Sequence, residues 1–172
     1  IYDPLAGRPR RRGGYSIPRH AGTVYSLALL HGLTGEARFR RGAERAIAWL
    51  GEQIPESCGE ARGSCVVRGN RGDLGSAALT AVGILEYQRS TEEDTYAETA
   101  RRLMEFILFL QRDDGDFHHL YDLRANEIDA EDRRMFASEE AALALVMAHE
   151  VLGDDRYLQA AQRALDFLTG PK

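Results

Sequence analysis

The chain of 172 residues is long enough for one domain with a real core, and its 44% hydrophobic and 28% charged content is ordinary for a globular protein. A formal charge of −5 argues against a nucleic-acid partner, which asks for a net basic surface. No apolar run reaches the roughly 18 residues that a membrane span needs.

The first residues, Ile1-Tyr2-Asp3-Pro4, show no charged segment followed by an apolar one, so no signal peptide is visible. The compartment is left open, with the cytoplasm the leading expectation. Arg8, Arg10, Arg11 and Arg12 form a basic stretch that reads first as a solvated loop and second as a docking patch for an anionic partner.

An apolar stretch from Thr23 to Leu33 predicts a first helix, which stops at Thr34-Gly35. Gly35-Glu36-Ala37-Arg38-Phe39 then leads into Ala43, Arg45, Ala46, Trp49 and Leu50, the face of a second helix. From about Pro55 to Asp73 runs a long linker with Cys58 and Cys65 seven positions apart. With no nearby histidine pair these do not make a zinc site. Free thiols are the first expectation and a local disulfide the second. Cys65 to Gly72 has the β-branched pair and turn residues of a small hairpin.

Ser76 to Tyr87 repeats the apolar helix, and Thr95-Tyr96 introduces Ala100, Arg102, Leu103, Phe106 and Ile107 in the register seen before. A second long linker, Asp113 to Phe136, carries His118, His119, Tyr121 and Asp122. In the third unit, Glu139 to His149 is apolar nearly all round after its first turn, so it must be covered on most sides. Gly153-Asp154-Asp155-Arg156-Tyr157 opens a one-sided helix with Ala161, Ala164, Leu165 and Leu168 on one face.

The unit is helix, turn, helix, three times over, at a period of roughly 60 residues. Tetratricopeptide and ankyrin units, at about 33–34 residues, and HEAT units, at about 40–47, are too short to match. The expected fold class is all-α: one domain over 1–172 of three tandem antiparallel helical hairpins, near 15–54, 72–112 and 136–170, with linkers 55–71 and 113–135. Helices are expected near 20–33, 36–53, 74–89, 93–112, 137–152 and 155–169. Nearly all-apolar first helices form an inner layer, amphipathic second helices an outer one. In such hairpins the long linkers gather at the end where inner helices begin.

The hairpin period, the Gln111-Arg112-Asp113-Asp114-Gly115-Asp116-Phe117 turn and the repeated Gly-[Glu/Asp]-x-Arg-[Phe/Tyr] turn resemble the α/α-toroid superfamily, which includes six-hairpin glycosidases, N-acylglucosamine epimerases and terpenoid-cyclase-type proteins. The resemblance covers roughly 15–170 and implies a partial toroid, since closed ones have five to seven hairpins. Neither the zinc-binding Cys and His set of the lanthionine-cyclase branch nor the Asp-rich motifs of terpenoid cyclases occur. This leaves the carbohydrate-active branch, a glycoside hydrolase-like or sugar epimerase-like domain acting on a sugar-like molecule or glycan, with no cofactor and no metal. The alternative is a non-catalytic helical scaffold binding a protein or glycan. Open flanks would be covered by a second copy or by further hairpins.

Polar residues at the inner-helix starts give the candidate site. Glycoside hydrolysis needs a paired acid and base, and Glu140 with Asp73 or Asp122 could supply it. His119 could move a proton, because imidazole titrates near neutrality. Glu140, His119 and Asp122 are the catalytic candidates, with Arg19, His20, Asp73, His118 and Tyr121 as substrate-binding ones. Against this, Glu139 and Glu140 also complement a helix dipole behind Ser138, a good N-cap. His31 and His149, at equivalent repeat positions, are expected to be structural. Tyr25, Trp49 and Tyr87 are expected to pack in the core.

Overall fold

A computed structural model describes residues 15–170 and, before them, two short strands, β1 (Tyr2–Asp3) and β2 (Arg8–Pro9), which pair antiparallel. Arg10, Arg11 and Arg12 of the basic stretch lie outside the described residues. Six helices follow: α1 (Ile17–Thr34), α2 (Ala37–Gly51), α3 (Leu74–Thr91), α4 (Ala97–Leu110), α5 (Ala137–Leu152) and α6 (Asp155–Thr169). All six expected helices are present, with α4 starting later than its apolar period suggested because Thr95-Tyr96 forms a turn.

The three inner helices α1, α3 and α5 pack side by side with α3 in the middle, and α2, α4 and α6 each cover their own inner partner. The central helix shows why it reads as apolar all round: from Leu74 to Gln88 only Leu79 escapes full burial. Small residues let α1 and α3 come close. A Cβ on Gly83 would stand 3.0 Å from the Val24 side chain and 3.1 Å from the Ala21 carbonyl. α2 and α6 bury one stripe only, Ala43, Ile47 and Leu50 in α2 and Tyr157, Ala160, Ala161 and Ala164 in α6.

The hairpin turns follow their sequence signals. Gly35 and Gly153 take left-handed φ values of 69° and 72°, and their amides return to the carbonyls of His31 and His149. Glu92 does the same without being glycine, at φ 57°. Asp154 caps α6 through the Arg156 amide.

Three features correct the sequence reading. The linkers are not merely loops. β3 (Val67–Arg68), β4 (Arg71–Asp73), β5 (Leu120–Asp122) and β6 (Glu127–Asp129) form a four-stranded antiparallel sheet in the order β3-β4-β5-β6. The hairpin expected within 65–72 is its first half, and pairing of β4 with β5 stitches the two linkers together. Second, Cys58 and Cys65 are joined in a disulfide, with Cα atoms 6.0 Å apart, rather than left as thiols. Third, Ser138 is not the N-cap of α5. Phe136 occupies that position in a left-handed conformation, φ 69°, and Ser138 lies inside the first turn.

Tyr87 is buried, whereas Tyr25 and Trp49 pack against the core only in part. His149 stays within the third hairpin, its Nδ1 3.4 Å from the Asp154 carbonyl. No helix among the described residues is long and apolar enough to cross a membrane.

Candidate active site

The inner helices begin at one end of the domain, and the sheet sits on that end. β4 runs directly into α3, so Asp73 closes the strand and caps the helix: its Oδ1 accepts the Ser76 amide at 2.7 Å. The Leu74 amide donates to the His119 carbonyl at 3.0 Å, which ties β5 to the same helix start. Ser16 caps α1, its hydroxyl accepting from the Arg19 amide at 3.4 Å.

Between these starts opens a cleft of about 370 Å³ whose walls include Ser16, Ile17 and Pro18 of α1, Asp73 and Ser76 of α3, and Leu120 and Arg134 of the second linker. Arg134 reaches Asp73 Oδ2 at 3.3 Å and Asp132 at 2.6 Å, and these carboxylates push its pKa up. Arg68 and Arg71 of the first hairpin complete the wall.

Glu140 approaches from α5. A Cβ on Gly75 would lie 2.6 Å from Glu140 Oε2 and 3.7 Å from Asp73 Oδ1, so both carboxylates converge on that one small residue. Burial, then the charges of Asp73 and Glu139, raises the Glu140 pKa to about 7. No hydrogen bond among the described residues offsets this. Glu140 is therefore poised to hold a proton near neutrality and release it. Glu139 is exposed.

The other sequence candidates divide. His119 lies at the same end but is held inside the protein. Its Nδ1 accepts the Arg134 amide at 2.6 Å, and its Nε2 lies 3.0 Å from the Ser138 hydroxyl, which itself donates to Asp116 at 2.7 Å. An Nδ1 that accepts must be unprotonated, so the ring is neutral and donates from Nε2. Burial accordingly lowers its pKa. This chain of bonds clamps the second linker to the first turn of α5. His118 faces the other way, into a separate hollow with Phe109, Gln111 and Arg112, because successive side chains of an extended segment alternate sides. Burial lowers its pKa too.

Tyr121 is buried at 2% exposure, donates to Asn126 Oδ1 at 2.8 Å and packs edge-on to Phe109. Asp122 closes the β5–β6 turn, accepting the Arg124 and Ala125 amides at 2.8 and 3.0 Å, and these bonds lower its pKa. Both serve the linker's own structure. Arg19 and His20 line a groove between α1 and α2 rather than the cleft. His20 Nε2 bonds the Ala46 carbonyl at 2.9 Å, Nδ1 bonds the Tyr15 hydroxyl, and the ring packs on Trp49. Of the eight candidates, the structure brings Asp73, Glu140 and His119 to one place.

Sequence reasoning missed Arg134, Arg68, Arg71 and Gly75. Arg134 had a readable sign in its position just before the α5 start. The others depend on pairing between distant linkers. Among the described residues no group of three or more His, Cys, Asp or Glu could hold a metal ion.

No protein-family model matches the sequence, and no curated protein matches it. Solved structures do. A family 76 glycoside hydrolase (mannosidase) from Bacteroides thetaiotaomicron superposes with a TM-score of 0.75 at 18% identity, over 87% of this chain and 43% of that one. An inactive variant of an α-1,6-mannanase of Salegentibacter sp., with two consecutive aspartates replaced by asparagine and α-1,6-mannotriose bound, gives 0.79 at 14% identity, over 93% and 48%. The cellobiose 2-epimerase of Spirochaeta thermophila gives 0.75 at 13% identity, over 94% and 45%. The fold is thus that of part of an α/α toroid, and the chain spans less than half the length of these structures.

Proposed function

We propose that this chain is the part of a carbohydrate-active enzyme that carries an acid/base site, with Glu140 as general acid and Asp73 as its carboxylate partner. The observation that carries the reading is the convergence of Glu140 and Asp73 on Gly75, with Asp73 in the wall of the cleft and the Glu140 pKa raised to about 7. Cleavage of a glycosidic bond asks for one carboxyl that gives a proton to the leaving oxygen and one ionised carboxylate that activates water or attacks the anomeric carbon. A half-buried glutamate next to a carboxylate paired with a guanidinium meets that division of labour.

The likeness to mannanases supports a sugar substrate. Hydrolysis is favoured over epimerisation because the histidines lie on opposite sides of the linker, and His119 has both ring nitrogens engaged. His119 and Arg134 then act as positioning residues for α5 and Asp73.

The test is a screen of glycans for release of reducing sugar by the protein and by its Glu140→Gln variant. Loss of about 10²–10⁴-fold in rate with the fold intact is expected. Activity should also fall as pH rises through about 7, where Glu140 gives up its proton. A glycan hydrolysed equally well by the Gln variant would remove Glu140 from the chemistry.

A further inference from the structure

The cleft carries a charge pattern that an acid/base pair does not need. Three guanidiniums, Arg68, Arg71 and Arg134, line it against a single carboxylate, Asp73, in a chain whose net charge is −5. Arg134 is accounted for by Asp73 and Asp132. Arg68 and Arg71 have no ion-pair partner within 4.0 Å among the described residues.

Their placement sharpens the point. They are register partners on β3 and β4, directly opposite one another across the Gly69-Asn70 turn. Like charges in that position destabilise a hairpin. Asp122, the register partner of Arg71 on β5, spends its Oδ1 on the turn amides of Arg124 and Ala125. α1 also begins at this wall, and the start of a helix carries partial positive charge.

We infer that the cleft recognises an acidic glycan, with Arg68 and Arg71 holding the anionic substituent, a uronic carboxylate or a sulfate ester, while the sugar ring lies against Ile17, Pro18 and Leu120. The inference rests on the carbohydrate reading and narrows its substrate class. A guanidinium fork matches both anions, because two parallel N–H groups meet two oxygens. The pair also lies on a hairpin fixed by β4–β5 pairing rather than on a free loop, so the backbone positions that carry the two side chains are set in advance. The mannotriose bound by the Salegentibacter enzyme carries no such group.

Binding of three probes by calorimetry tests it: a galacturonate trisaccharide, a sulfated galacto-oligosaccharide and neutral α-1,6-mannotriose, each against the intact chain and an Arg68→Gln/Arg71→Gln variant. At least one acidic probe should bind ten-fold or more tightly than mannotriose at low salt, and which one does identifies the anion. The double variant should lose that preference while melting at the same temperature or higher, since removing opposed like charges relieves the hairpin. A purely structural pair of arginines would give a lower melting temperature instead, and that result overturns the proposal. Mannotriose binding as well as both acidic probes, indifferent to the double substitution, overturns it and leaves the glycosidase reading standing. If none of the three glycans binds, both readings fall.

Discussion

Gly75 is the residue on which the proposed site turns. Replacing it with alanine puts a methyl 2.6 Å from Glu140 Oε2, the far end of a flexible side chain. The carboxylate can swing away at little cost, and alanine in a helix gains about 1 kcal/mol of intrinsic propensity over glycine. Gly75→Ala should therefore melt within a few degrees of the wild type. Its hydrolytic rate should drop about 100-fold, because a displacement near 1 Å of a catalytic group costs that much. A variant of unchanged activity would place Glu140 outside the chemistry. Glu140 also carries a cost to folding. Its folded pKa, about 7, stands above the ordinary 4.5, so the protonated form is the favoured one in the native state. Its contribution to stability is complete below pH 4.5 and is lost as pH rises from there to about 7. Glu140→Gln, which cannot ionise, should gain melting temperature over the wild type at pH 8 and lose that advantage at pH 4.5. Thermal melts at the two values check it. An advantage that does not change with pH would mean that Glu140 is solvated.

At the scale of elements, helices and sheet differ in how far the sequence foretells them. The six helices are readable because an apolar stripe at helical spacing recurs along many residues, and the turns between them carry Gly35, Gly153 and Asp154 in their usual roles. The sheet strands have two or three residues each, too few for alternation to show. β4 and β5 also come from linkers some fifty positions apart, so their pairing is a tertiary event. This is why Asp73 and Glu140 could be placed at one end from the hairpin period, while Tyr121 and Asp122 could not be told from ligands. A tyrosine and an aspartate in a polar linker read alike whether they face a cleft or close a turn. The disulfide escaped for a similar reason. Cys58 and Cys65 enclose a short loop whose path is set by contacts with α4, where Ser64 donates to the Arg102 carbonyl and the Arg102 guanidinium to that of Glu56. Closing a loop of this length should stabilise the fold by about 2 kcal/mol through the unfolded chain. A Cys58→Ser/Cys65→Ser variant should therefore unfold at lower denaturant concentration, and reducing agent should bring the wild type to the same midpoint. If the reductant has no effect, the two thiols are not joined in solution.

For the whole molecule, the arrangement of inner helices sets an asymmetry. α3 is flanked by α1 on one side and α5 on the other, and it buries almost its entire surface. α1 and α5 have the same apolar character but only one inner neighbour each. α5 leaves Leu143 49% exposed, and α1 leaves Leu30 39% exposed. In a closed ring these flanks would meet further hairpins; in this chain by itself they face water. Apolar patches of several hundred Å² are uncommon on monomers. The chain alone should thus self-associate through these flanks, with a sedimentation coefficient that rises with protein concentration. Leu143→Glu places a charge in the exposed stripe of α5 without touching the core. It should shift the species to the monomer and leave the helical circular dichroism unchanged. A wild-type chain that sediments as a single monomer over a wide concentration range would show that the flanks are already sufficiently covered by their own polar rims.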